Sequence, residues 1–573
     1  MKFKIVLFFA FLMSSIPFFG QIKISDEAYT VYQKIPQEKI YVHYNSNFLL
    51  TGESLIYKIY CLNTSTYLFS DFSQIAYIEL INANKERVLK QKIRLKKGIG
   101  QGDFFIATDL PSGNYKLIAY TEWMKNKNSF YEESINIINP FTQKIATDTI
   151  NSKNSSILKK DILPLTTKNG FLETNKIHFS KREQVTLNFN ENLINRTSGN
   201  FSISVRKTMP NVSSEKTTPL EFTQSENHNK LENHNSENKI FLPELRGELI
   251  QGKIVALDDE QSIENKAIGL SIIEKNGIYK IVNTKKDGTF YFNLPEEYAS
   301  EKAIVQILES NKNDYKLIIS ESKSLDLSSL KFSAIKTNSQ INKSIRERAI
   351  YLQVENAYNE LHQDSILPPK QVESLFKNAL INYKLDDYTR FNTIKETTVE
   401  VIKNTWLTKE GDNYTFHVRD NNLHTNYQTK PLVLIDGYII NNHNELVDFN
   451  PKLIKQIAII RNKYKFNANI YQGVISVKTF KGDYTPSSNE KSLSITLFKP
   501  LPIKKYYSKN YTNTDLKRVP DYRTQLFWNP NINLTEKNIT FFTSDVTGHF
   551  ETILEGFTND GKPIYEKIIF TVK

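Results

Sequence analysis

The chain has 573 residues, too many for one core, so about four to six domains are expected. Its 39% hydrophobic and 12% aromatic content, with 30 Tyr and 35 Phe, suits a soluble, strand-rich protein better than a membrane one. A net charge of +12, from 74 Lys and Arg against 62 Asp and Glu, argues for anionic envelope surfaces or acidic partners if the chain is exported, and against nucleic acid.

The N-terminus, MKFKIVLFFAFLMSSIPFFGQ, places Lys2 and Lys4 before an apolar run from Ile5 to Met13. This is the pattern of a secretory signal, expected over residues 1–20, and the run is shorter than the ~20 residues a spanning helix needs. No Cys lies near the cleavage region, so no lipid-anchored N-terminus is expected, and no later run is apolar enough to span a bilayer. The mature chain is therefore expected to be exported, to the periplasm, the outer membrane or the cell surface. Cys61 is the single cysteine, so no intrachain disulfide can form. Its strand-like surroundings, SLIYKIYCLNT, predict a small buried apolar residue and not a nucleophile.

Within a first sandwich expected over 21–150, residues 38–140 alternate in the β manner, with turn signals at Asn63-Thr64, Asn82-Ala83-Asn84, Gly98 to Gly102 and Pro111-Ser112-Gly113. The pieces EKIYVHYN, LTGESLIYKIY and DLPSGNYKLIAYTEWM resemble the second macroglobulin-type domain of α2-macroglobulins, a spacing and packing module in that family. A second sandwich is expected over 151–244, ending in the polar tail SENHNKLENHNSENK. In 245–335 the pair Asp287-Gly288 between two strand-like runs predicts a hairpin turn. This block is similar to the carboxypeptidase regulatory-like domain, a transthyretin-type sandwich.

Residues 336–410 read as helical. Ile345, Ala349, Leu352, Val354 and Ala357 recur at roughly helical spacing, Pro368 and Pro369 interrupt, and KQVESLFKNAL resumes the pattern. Thr393 with Glu396 has the spacing of a capping box. In 411–485, LVLIDG predicts a buried strand turning at Asp436-Gly437, and Asn450-Pro451 predicts a helix start followed by strands at Ile457–Ile460 and GVISVKTF. Asp436 is either a turn residue or part of a recognition surface. This segment resembles the plug domain of TonB-dependent receptors. Only 91 residues follow Gly482, fewer than the ~200 a receptor-sized barrel needs, and they read as a further macroglobulin-like sandwich over 486–573.

The order of pieces resembles a family of exported envelope proteins combining macroglobulin-type, regulatory-like and plug-like domains. The fold class expected is mainly β: tandem macroglobulin- or immunoglobulin-like sandwiches, a small helical segment and an α+β plug-like domain. The distinctive chemical feature is charge. Lys452, Lys455, Arg461, Lys463, Lys465, Lys478 and Lys481 lie between Pro451 and Gly482 with no acidic residue among them, and Tyr464, Phe466 and Tyr471 interleave. They are the candidate partner-binding residues, facing either solvent or an acidic protein surface or lipid headgroup.

No catalytic, cofactor or metal site is expected. His228 and the spacing His234-x-x-Glu237 sit in the polar tail, where nothing orients a ligand. Cys61 is followed by Leu62 and Asn63, so the Cys-Gly-Glu-Gln thioester of macroglobulins is absent, as are nucleophile-elbow, phosphate-loop, dinucleotide and zincin motifs. The adjacent acids Asp258-Asp259 and Asp386-Asp387 are not held across a substrate. These features lead to a non-enzymatic scaffold or protein–protein interaction module. The alternatives are an accessory subunit of an outer-membrane transporter or secretion channel, and a hydrolase with an unrecognised site. The partner expected is an envelope protein, such as an outer-membrane β-barrel transporter or secretion component, with peripheral membrane association compatible.

Overall fold

The computed structural model describes residues 34–142, 148–149, 170–190, 198–209, 216–225, 239–258, 260–361, 363–368, 381–421, 429–486, 492–511, 518–532 and 536–573, with isolated positions among 22–32. The expected signal segment, the polar tail carrying His228, His234 and Glu237, and the KQVESLFKNAL run lie outside the described residues. The chain divides into two units. One comprises residues 23–247, 325–370 and 499–573; the other comprises 248–324 and 371–498, together with residues 1–22. Both are mainly β, as the composition requires.

In the first unit, the sheet Glu38–Tyr44, Ser54–Asn63, Ile99–Phe105 packs on a five-stranded sheet ordered Phe48–Leu50, Tyr131–Ile138, Gly113–Tyr120, Ile75–Ile81, Arg87–Arg94. Alternation places Ile40, Val42, Ile59 and Cys61 in the shared core. The intervening residues Tyr41, His43, Lys58 and Tyr60 are polar, a pattern that reads as a solvent face. They are buried instead, because that face packs on a second sandwich of the same unit.

That second sandwich draws on two distant segments. Gln184–Phe189 pairs with Asn538–Phe542, and Gly199–Lys207 lies between Gln525–Ile532 and Gly548–Thr558, with Pro563–Val572 beyond. The sandwiches expected separately over 151–244 and 486–573 thus contribute strands to common sheets. Neither segment has enough strands to cover the apolar face carrying Val185, Leu187, Phe201, Ile203, Phe550 and Leu554, and pairing them closes one core. Helix Ser339–Ala357, capped by the Asn338 side chain, buries Ile341 and Ile345 against Phe48, Leu50 and Ile138. Its Arg348 reaches Glu53 Oε1 at 2.6 Å and the Phe48 carbonyl at 3.1 Å.

The other unit begins with a sandwich of two sheets. One is ordered Thr289–Leu294, Glu248–Ala256, Tyr315–Ile319; the other Ile278–Asn283, Ala267–Ile272, Lys302–Ile307, Ser492–Thr496. Asp287-Gly288 does form a tight turn, with Gly288 at φ +78° and the Asp287 carboxylate accepting from Thr289 N at 3.1 Å. The expected hairpin is not made, however. The turn carries the chain from one sheet to the other, because Thr289–Leu294 pairs with Glu248–Lys253 and puts Phe290 and Phe292 into the core.

A five-stranded mixed sheet follows, ordered Ile381–Lys384, Ile454–Phe466, Asn469–Thr479, Leu432–Ile435, Tyr438–Ile440. One face, with Ile457, Ile459, Ile475 and Val477, is covered by helix Ile394–Glu400, the short helix Asn444–Val447 and the ribbon Thr405–Glu410/Asn413–Val418. The other face, with Leu432, Leu434, Ile460 and Val474, packs on Tyr279 and Ile281 of the preceding sandwich. Residues 336–410, expected to be helical, also supply four strands among the described residues: Lys336–Thr337, Ser365–Ile366, Ile381–Lys384 and Thr405–Glu410. The expected helix at Asn450-Pro451 is a single 3-10 turn, Pro451–Leu453, because Ile454 already enters the sheet.

Candidate functional site

The structure does not gather the seven basic candidates into one patch. Strand Ile454–Phe466 starts beside Lys452 and Lys455 and ends beside Lys463 and Lys465, a span of about 40 Å at ~3.3 Å per residue. Lys452, Lys455, Lys478 and Lys481 share the near end of the sheet. There Lys478 lies opposite Gln456, and Lys455 sits in the register shift between Ile454 and Gln456. Lys463 and Lys465 share the far end, where they lie opposite Gln472 and Ile470 near the hairpin tip. All six are exposed, and among the described residues none of them forms an ion pair.

Arg461 belongs to neither group. It is half-buried, and its guanidinium donates to the carbonyl oxygens of Arg419 at 2.9 Å and Asp420 at 2.7 Å. That makes it a loop clamp. Tyr464, Phe466 and Tyr471 interleave in sequence but turn to the opposite face, toward Tyr279.

Two functional candidates were not distinguished in the sequence. Leu453 is 53% exposed and Phe480 is 47% exposed, and the Phe480 N–H donates to the Leu453 carbonyl at 3.1 Å. They read as core residues because they adjoin apolar strands, yet each falls on a turn just outside its strand. The signal available was the flanking Lys452 and Lys481.

Asp436 resolves as a turn residue. It is 2% exposed at φ +49°, and its carboxylate accepts from Thr479 N at 2.8 Å, Thr479 Oγ1 at 2.6 Å and Tyr484 N at 3.2 Å. These bonds satisfy the carboxylate and fix the 479–484 segment over the strand end.

A buried polar cluster lies where the two sandwiches of the first unit meet. His43 Nδ1 is 2.6 Å from Ser202 Oγ, which is 2.8 Å from the Tyr60 hydroxyl. Tyr41 donates to Glu555 Oε2 at 2.7 Å, Lys216 to Glu555 Oε1 at 2.8 Å, and Lys58 to the Phe201 carbonyl at 3.2 Å. Burial pushes the His43 imidazole well below its ordinary range, with Lys216 and Lys58 adding to the effect. Burial also brings the Lys58 ammonium down to about 7 and raises the Glu555 carboxyl, which Lys216 and Tyr41 partly oppose.

A serine, a histidine and a glutamate in contact have the composition of a hydrolytic triad. Here the groups are fully enclosed, and Glu555 Oε2 stands 3.9 Å from His43 Nε2, too long for a hydrogen bond that would orient the ring. Ser202 is fully buried among the described residues, and the arrangement joins the two sandwiches. Among the described residues, no three His, Cys, Asp or Glu side chains group as metal ligands. Asp386 pairs with Arg390 at 3.0 Å, and Asp258 caps a local turn through Glu260 N.

No family model matches the chain, and no curated protein matches it. Solved structures similar to it include Escherichia coli alpha-2-macroglobulin activated by porcine elastase, at 8% identity and TM-score 0.22, covering 94% of this chain and 44% of that one. Salmonella alpha-2-macroglobulin reacted with methylamine matches at 8% identity and TM-score 0.22, covering 98% of this chain and 41% of that one. Dimeric latent PorU from Porphyromonas gingivalis matches at 9% identity and TM-score 0.15, covering 94% and 34%. The chain spans less than half the length of these proteins. Superposition this weak leaves the tandem-sandwich architecture resting on the sheets described above.

Proposed function

We propose that the chain is a non-enzymatic, modular cell-envelope protein acting as a scaffold, with the mixed sheet of 381–484 as its protein–protein interaction module. The β-sandwiches hold and space that module. The observation that carries this reading is the contrast between two kinds of polar residue. The groups able to do chemistry, Ser202, His43 and Glu555, are sealed inside a packed junction, whereas six lysines of the mixed sheet are exposed and without ion pairs among the described residues. Unpaired exposed charge of one sign accelerates encounter with an acidic partner and makes binding sensitive to salt over a Debye length of ~8 Å. The resemblance of this sheet region to a receptor plug supports the same reading, since a plug is built to sit against another protein surface.

The test is affinity recovery from envelope extract at low and high salt, with wild type and with Lys455→Glu/Lys463→Glu/Lys465→Glu. A partner recovered by wild type at low salt, and lost both at high salt and from the variant, is the expected result. Identical recovery by both proteins at every salt concentration refutes the role of these charges.

A further inference from the structure

The near end of the mixed sheet differs from the hairpin tip in one respect. Its lysines surround two exposed large apolar side chains, Leu453 and Phe480. Lys452 and Lys481 are their chain neighbours, and Lys455 and Lys478 lie one step along each strand. A fifth lysine, the exposed Lys275, adjoins the same turn. Gly482 backs onto it so closely that a Cβ there would lie 2.7 Å from the Lys275 nitrogen.

The two turns that present this surface are held rigidly. Asn450 Oδ1 accepts from Lys452 N at 3.0 Å, and Arg390 Nη1 donates to the carbonyls of Pro451 at 2.9 Å and Ile454 at 3.0 Å. The Arg390 guanidinium also lies 5.4 Å from the centre of the Phe480 ring, and Asp386 balances its charge. On the other turn, Asp436 holds Thr479, whose hydroxyl accepts from Gly482 N at 2.9 Å. The core beneath is closed by Ile454, Val477 and Tyr484, and neither Leu453 nor Phe480 belongs to it.

We infer that this end of the sheet is a docking face for the anionic surface of a lipid bilayer, with Leu453 and Phe480 entering the headgroup boundary and Lys452, Lys455, Lys478, Lys481 and Lys275 contacting lipid phosphates. The inference rests on the reading that the chain works at a cell envelope. Charge complementarity selects the occupant: five lysines around a small apolar tip match a continuous anionic surface with an apolar layer beneath it. An acidic polypeptide would satisfy the charges but gives the two apolar tips no layer to enter. The rigidity of the turns lowers the ordering cost of presenting them.

The experiment is co-sedimentation of the full chain with phosphatidylcholine vesicles, with and without about a third phosphatidylglycerol. Wild type is expected on the anionic vesicles only, with binding weakened by salt. Leu453→Ser/Phe480→Ser keeps every charge and is expected to reduce binding about tenfold or more. Lys452→Gln/Lys481→Gln is expected to reduce it by about fivefold per lysine, whereas Lys463→Glu/Lys465→Glu at the far end leaves it unchanged. Circular dichroism melts of each variant confirm that the fold is retained. No binding to anionic vesicles, equal binding by the Leu453/Phe480 variant, or binding to polyglutamate in place of vesicles would each overturn the inference. If the vesicles are ignored while Lys455→Glu/Lys463→Glu/Lys465→Glu still loses its partner from extract, the lipid face falls and the scaffold reading stands. If the vesicles bind as expected while extract recovery is unchanged by charge reversal, the scaffold reading falls alone.

Discussion

The Tyr41 hydroxyl donates to the Glu555 carboxylate at 2.7 Å, across the seam between two β-sandwiches and 514 residues apart in the chain. Both groups are fully enclosed, and Lys216 meets the other carboxylate oxygen. Removing the carboxylate by Glu555→Ala leaves a buried phenol and an ammonium without their acceptor, and is expected to cost about 3–5 kcal/mol. Tyr41→Phe removes one hydrogen bond and is expected to cost about 1–3 kcal/mol. Chemical denaturation of each variant, followed by amide exchange in strands 38–44 and 548–558, measures both.

The same seam gives stability a direction with pH. Buried His43 has a pKa held well below 6.5, so below that pH an unfolded chain takes up a proton that the folded chain refuses. Its contribution is complete above pH 6.5 and is lost as pH falls toward the folded value. Lys58, at about 7 in the fold, acts in the same sense between its ordinary value and 7. Glu555, raised by burial, acts in the opposite sense, its contribution fading as pH rises through its folded value. Comparing wild type with His43→Gln isolates the histidine. The variant's unfolding free energy is expected to fall less steeply than wild type's from pH 6.5 downward, and parallel curves would contradict the assignment.

Arg461 and Lys463 are separated by one residue and are expected to behave oppositely. Arg461→Glu removes two donors from the carbonyls of Arg419 and Asp420 and is expected to destabilise its unit by about 1–3 kcal/mol. Lys463→Glu, exposed and without an ion pair among the described residues, is expected within about 0.5 kcal/mol of wild type. Thermal melts of the two single variants decide this.

Asp436→Ala is expected to cost about 2–4 kcal/mol, since it strips the acceptor from Thr479 and Tyr484 and places a Cβ-bearing residue without a polar side chain at φ +49°. Asp436→Asn keeps a residue tolerant of that conformation and part of the bonding, and is expected to cost less. Urea titration of the pair checks the order.

Cys61 lies in the core opposite Ile40, and burial together with nearby Glu38 raises its thiol pKa. Cys61→Ala or Cys61→Val is expected to cost about 1–2 kcal/mol. In the native protein the thiol is expected to resist alkylation until the chain is denatured, as a labelling time course with and without urea would show.

Local chemistry was the legible part of the sequence. The Thr393–Glu396 capping box is present on both sides, Asp436-Gly437 turns where LVLIDG predicts, and the alternation of 38–63 does form strands. Partnership between elements was not legible. The polar positions Tyr41, His43, Lys58 and Tyr60 follow the period of a solvent face, and only the arrival of Ser202 and Glu555 from elsewhere in the chain buries them. Asp287-Gly288 fixes a turn, but burial of Phe290 and Phe292 chooses the partner strand. For the basic segment, sequence proximity stood in for spatial proximity. An extended strand separates the ends of a run that a helix would have kept together, and Arg461 is drawn away to clamp a loop.

The interleaving of strands 199–207 and 525–572 sets an order on how the protein is made. Strand Gly199–Lys207 leaves the ribosome more than 300 residues ahead of both its neighbours, Gln525–Ile532 and Gly548–Thr558. Until those are synthesised, the nascent strand has two open edges and an apolar face carrying Phe201, Ile203 and Val205. The sandwich these strands form stays incomplete for most of the chain's synthesis, which exposes its early strand to mispairing and to holding chaperones. The sandwich of 38–138 and the unit of 248–324 and 371–498 each draw their sheets from within their own spans and are free to close before it. The sandwich begun before residue 210 is therefore among the last to be completed.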